Sequence, residues 1–141
     1  MTAVDLNIIR KNIEGRLLSE FRKAPPIPVV FNNIPFKPLT DDTFILSEIE
    51  FTQSEYIDFT SNPKKSNIIN GQLTLNIFTK DGVGVGANLT VATRLRNLFN
   101  RVDKDNVFYE SPNGPVLLQN GSPEGYLQSR MTIDFQIFEE L

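Results

Sequence analysis

Cysteine and histidine are both absent from the 141 residues. Without thiols there is no disulfide framework and no thiolate zinc site. Without an imidazole base, neither Ser-His-Asp nor Cys-His machinery can be assembled. A metal site would have to be all-oxygen, and the acids do not fall at EF-hand spacing. An excess of basic charge is missing too: 14 basic residues face 17 acidic ones, net −3. Gripping nucleic acid takes a basic surface that neutralises phosphates, so this balance argues against it, though not against DNA passing nearby. No apolar run approaches the ~18 residues of a membrane span. "MTAVDLNIIRKNIEGRLL" carries Asp5, Arg10, Lys11 and Glu14 through its apolar stripe. The sequence therefore predicts no secretory signal, and a protein kept in a cytoplasm-like space.

What is present suits one domain over residues 1–141. A chain of this size buries roughly two-thirds of its unfolded surface, enough for a core without staples. Leu6, Ile9, Ile13, Leu17 and Phe21 fall at spacings of 3, 4, 4 and 4, which predicts an N-terminal amphipathic helix. Thr2 and Asp5 have capping-box spacing, and "APPIP" (24–28) ends the helix because proline lacks the amide proton. "VVFNN" (29–33), "FILSEIEF" (44–51) and "GQLTLNIF" (71–78) predict strands, with a turn-rich link at 34–43 and a polar loop at 60–67. Leu73, Leu75 and Ile77 alternate with Gln72, Thr74 and Asn76. A second helix carries Ala87, Val91, Leu95, Leu98 and Phe99 as its apolar stripe. "NVFYE" and "PVLLQ" flank "SPNG" (111–114), which predicts a hairpin turn, and "NGSPEG" (120–125) predicts another. "YLQSRMTIDFQIF" is the clearest alternating strand. The expected fold is α+β: two layers, a mainly antiparallel sheet with both helices packed on one face.

Gly82, Gly84 and Ala87 formally fit the G-x-G-x-x-G/A dinucleotide fingerprint between a strand and a helix. Against this, "TKD" separates strand from glycine, and the strand alternates where a central parallel strand is apolar on both faces. Asp103 and Asp105 precede the next strand instead of ending it, and hairpins follow. The favoured reading is chain geometry: Gly82, Gly84 and Gly86 supply positive φ and close backbone approach. A nucleotide-binding enzyme or regulator using the Gly82–Gly86 turn stays open as the alternative. Glu48 and Glu50 share a strand face, roughly 7 Å apart as same-face neighbours are. An exposed strand lacks the burial that would raise one pKa for catalysis, so a solvated or interface face is favoured.

Four features suggest contacts instead. Pro63, Lys64 and Lys65 lie in a polar loop; Pro112, Asn113 and Gly114 lie in the predicted hairpin. Arg94 and Arg101 stand two turns apart on the second helix and could meet acids of another subunit, although a solvated face is the commoner outcome. With 11 Phe and 3 Tyr, residues such as Phe78, Phe108 and Tyr109 cannot all face one small core. Some aromatics are therefore expected on an association surface.

"IIRKNIEGRLLSEF", "PIPVVFNNIPFKP", "GQLTLNIFTKDGVGVGANLTVATRLRNLF" and "YLQSRMTIDFQIF" together span nearly the whole chain. In this succession the chain resembles the tail terminator, or tail-completion, family of tailed bacteriophages, including the related uncharacterised phage domain family. The resemblance implies a structural virion protein, not an enzyme, with no cofactor and no metal. It implies a self-assembled ring, a homohexamer, at the head-proximal end of the tail tube. The ring ends tube polymerisation and joins tail to neck, with the tail tube protein on one side and a neck or head-completion protein on the other. It implies assembly in the host bacterial cytoplasm, residence at the tail–neck junction, no membrane partner, and DNA sliding through the lumen without specific binding. Another neck or tail-tube structural role is the close variant.

Overall fold

A computed structural model describes residues 4–31, 43–57, 66–82, 84–118 and 125–140. The first helix, α1, runs Leu6–Phe21. Its N-cap is Asp5 itself, whose carboxylate accepts from the Asn7 amide at 2.9 Å. Asp5 is thus the cap and not the third residue of a capping box, and Leu6, the first helical residue, is left exposed. Ile9, Ile13, Leu17 and Phe21 are buried, as their spacing predicts.

Among the described residues seven strands follow: β1 (Val29–Phe31), β2 (Phe44–Ile57), β3 (Ser66–Lys80), then helix α2 (Gly86–Phe99), β4 (Asp103–Lys104), β5 (Val107–Tyr109), β6 (Asn113–Leu118) and β7 (Tyr126–Glu140). They form one sheet in the order β1-β2-β3-β7-β5-β4, with β6 also paired to β7. Among the described residues the pairings are antiparallel apart from β1 with β2. The expected α+β architecture is present.

The centre is the β3–β7 pair, which runs in register from Ser66↔Glu140 to Lys80↔Tyr126. One face of that pair carries Leu73, Leu75, Ile77, Met131, Ile133 and Ile137, all fully buried. Both helices lay their apolar stripes on this face, in one cluster that includes Leu17, Leu95 and Phe99. Each such side chain contributes roughly 1.5–3 kcal/mol by leaving water.

The aromatic surplus is resolved by two faces. Tyr109 joins the main core beside Phe99 and Phe135, with ring centroids 5.0 and 6.4 Å away. Phe78 belongs to a second cluster on the opposite face, stacked on Phe44 at 4.5 Å with Tyr126 edge-on. Phe108 meets Phe138 edge-to-face at 5.0 Å, and Phe138 remains exposed. Gly71 explains a further contact. It lies between Phe51 and Phe135 in register, and a Cβ there would stand 2.3 Å from Phe135 Cζ. The missing side chain lets those two rings meet at 5.9 Å across the strand.

Candidate interaction surface

The glycine turn lies between β3 and α2. Gly82 and Gly84 have φ of +84° and +86°, so both occupy the left-handed region that penalises a Cβ. Gly86 does not; it is the first residue of α2. A Cβ at any of the three would meet no described atom within 4 Å, so the expected close backbone approach is absent there. The turn supplies backbone direction, not a tight cradle. The strand before it, β3, is flanked by antiparallel β2 and β7. A dinucleotide fingerprint relies on parallel neighbours around the first strand, and β3 has none.

What fixes α2 onto the sheet is a polar residue. Asn88 is fully buried. Its Nδ2 reaches the Ile77 carbonyl at 3.2 Å, Thr79 Oγ1 at 3.3 Å and the Leu127 carbonyl at 3.4 Å, while Ser129 Oγ donates to its Oδ1. Ala87, expected in the apolar stripe, is exposed; Asn88 and Ala92 face inward instead. Hydropathy points an asparagine outward, so only the neighbouring Thr79 and Ser129 on sheet strands could have hinted at this network.

Arg94 is committed within the chain. It donates from Nη1 to the Pro25 carbonyl at 2.8 Å and from Nη2 to the Glu20 carbonyl at 3.0 Å. Its guanidinium also lies 4.4 Å from the Phe21 ring centroid and 3.5 Å from Glu20 Oε1. It ties α2 to the end of α1. Arg101 is exposed just past α2, with φ +53°, and so stays on the surface. Pro63, Lys64 and Lys65 lie outside the described residues.

The "SPNG" segment departs from expectation. β5 and β6 do not pair with each other. Both pair antiparallel with β7, β5 at Phe135–Ile137 and β6 at Gln128–Thr132. Residues 107–118 therefore run as one interrupted edge along β7, joined by the Glu110 amide donating to the Asp134 carbonyl. The hairpin turn falls earlier, at Asp105 and Asn106, where φ of 56° and 63° marks a primed two-residue turn between β4 and β5. Pro112 is buried, and its carbonyl accepts from Arg96 at 3.3 Å, so it is structural. Asn113 and Gly114 are exposed, and the register jumps from Asn113↔Thr132 to Val116↔Arg130, a bulge in the edge. A Cβ on Gly114 would stand 2.8 Å from the Arg130 carbonyl, so only glycine fits.

Beyond the bulge, Val116 is 59% exposed and Leu117 40%. Neighbouring residues on a strand point to opposite faces, so β6 leaves some apolar surface exposed on each face there. Among the described residues β6 pairs on one side only. An apolar strand at the edge of a sheet is a template for another chain's strand. Of the three candidate residues in the expected turn, Pro112 is buried, and the exposed large apolar side chains of this segment lie further along, at Val116 and Leu117.

No family model matches the chain, and no curated protein matches it. A solved structure known only by a serial designation has the same fold, at 16% identity and a TM-score of 0.66, covering 95% of this chain and 96% of that one. That likeness concerns architecture alone.

Proposed function

We propose that the protein is a structural subunit of a phage virion. It forms a ring on the head-proximal end of the tail tube, stops tube growth and offers a surface to the neck. The observation that carries this reading is β6, an apolar edge strand with Val116 and Leu117 exposed on its two faces. Such an edge is satisfied by a strand or hairpin of a neighbouring subunit. A heterologous contact of this kind closes into a ring when the rotation between subunits divides the circle. The tube end and the neck then meet two different faces of that ring. The chemistry of such a part is shape and stacking, so it needs no nucleophile or base. Net charge of −3 suits a lumen through which DNA slides, because a basic lining would hold phosphates.

The nucleotide-binding alternative draws on the glycine turn, whose strand has the wrong neighbours for it. A tube or other neck role shares the edge-strand observation and differs in what the rings do next. Purified chain added to polymerising tail tube protein tests this by electron microscopy. The expected result is short tubes with one end capped. Long tubes formed by this chain alone would make it a tube protein, and unaltered tube growth would remove the terminator role.

A further inference from the structure

The outer surface of α1 holds a second site. Lys11, Gly15 and Ser19 recur every four residues on one stripe of α1, and Lys23 follows just past its end. They line a cleft of about 430 Å³ whose other wall includes Leu98, Lys104 and Asp105. Gly15 keeps the cleft open, since a Cβ there would meet no described atom within 4 Å. Four cations, Lys11, Arg16, Lys23 and Lys104, face only two carboxylates, Glu20 and Asp105. Glu20 is already engaged, 3.5 Å from both Lys23 Nζ and Arg94 Nε. Lys11 on α1 and Lys104 on β4 have no ion-pair partner among the described residues. The cleft therefore has a surplus of positive charge in a chain that is negative overall.

Matching negative charge lies at the other end of the sheet. Glu48, Glu50 and Glu55 are exposed on β2. Glu48 and Glu50 pair with Thr74 and Gln72; after the bulge at Phe51/Gln53, Glu55 pairs with Ile68. All three partners are even-numbered positions of β3, so the three carboxylates share one sheet face, away from the helices. The bulge preserves this alignment. β1 pairs only with Ile45–Ser47, so the outer edge of β2 beyond Ser47 has no strand on it among the described residues. The strand order sets β2 near one end of the sheet and β4 at the other.

We infer that the α1 cleft of one copy receives the β2 carboxylates of the next copy. The inference rests on the ring reading and adds its electrostatic half. Opposite charges at opposite ends of one subunit make a head-to-tail contact, fix its polarity and disfavour the two-fold alternative, in which like charges would meet.

The test uses the full chain and light scattering with size exclusion. Assembly of the wild type should weaken at least tenfold as salt rises from about 50 mM to about 500 mM. K11E/K104E and E48K/E50K should each be monomeric at low salt. Mixed one to one they should assemble again, because each supplies the surface the other reversed, in alternating order. Gly15→Leu should keep or raise the melting temperature, as leucine favours helix over glycine, yet lose assembly by filling the cleft. Wild-type rings that ignore salt and survive both reversals would overturn the inference and leave the ring reading intact. A wild type monomeric at every salt concentration, even with tube protein, would overturn both.

Discussion

Two buried polar side chains have opposite expected consequences when truncated. Asn88 satisfies four groups at the helix–sheet junction. Asn88→Ala removes those bonds and strands Ser129 and Thr79 in the core, at a cost of about 2–3 kcal/mol. Chemical denaturation should show a lower midpoint at unchanged slope. Ser47 is buried to 1% exposure, and its hydroxyl has no hydrogen-bond partner among the described residues. Ser47→Ala should therefore leave stability unchanged or raise it by up to ~1 kcal/mol in the same assay. Tyr109 adds a pH dependence. Burial pushes its phenol up to about 12, with Arg16 pulling it down and Asp105 adding to the rise. Between the unfolded value near 10 and the folded value near 12, the unfolded chain holds fewer protons, so stability falls as pH rises. The loss should be on the order of 2 kcal/mol across that window, be absent below it, and vanish in Tyr109→Phe. Thermal melts from pH 9 to pH 12 (roughly the window set by the phenol's linkage) check the sign.

At the scale of elements, the legible parts were those with a strong period. The α1 stripe and the alternation in β3 and β7 are solvent-partition patterns, and local sequence carries them completely. The β5–β6 junction was not legible. "SPNG" has turn chemistry, but β7 is 15 residues long and offers one continuous edge to both segments. Tertiary pairing overrides local propensity there. The same limit hid the true hairpin, since Asp105 and Asn106 form a turn only once β4 has a partner. The intrachain bonds of Arg94 were not legible for a related reason: the chain after α1 folds back to within hydrogen-bond reach of α2, and no helical wheel shows that. Along β6 the structure makes a specific demand. Replacing Val116 and Leu117 with lysine removes exposed apolar area along β6 without touching the core. Self-association should weaken by at least tenfold in sedimentation velocity, while the melting temperature shifts by no more than a surface change allows, within about 0.5 kcal/mol. A double variant that assembles like the wild type would show that the edge is not used.

At the scale of the molecule, one subunit carries three surfaces: the β6 edge, the basic α1 cleft and the acidic β2 face. The glycines that suggest a nucleotide site in the sequence turn the chain from β3 into α2, and α2 is anchored to the sheet by Asn88. The sheet has one face covered by both helices and an opposite face that mixes the Phe44–Phe78 cluster with polar residues, Asn76 accepting from Gln128 and Arg130 among them. A subunit built this way can present two unlike sides, which a part placed between a repeating tube and a neck requires. The decisive measurement is the mass of the purified chain in solution, by light scattering, with and without tail tube protein. The account predicts a closed ring, six copies of the 16.0 kDa chain or about 96 kDa, sharpened to one species when tubes are present. A strict 16.0 kDa monomer at high concentration, unchanged by added tubes, would contradict it.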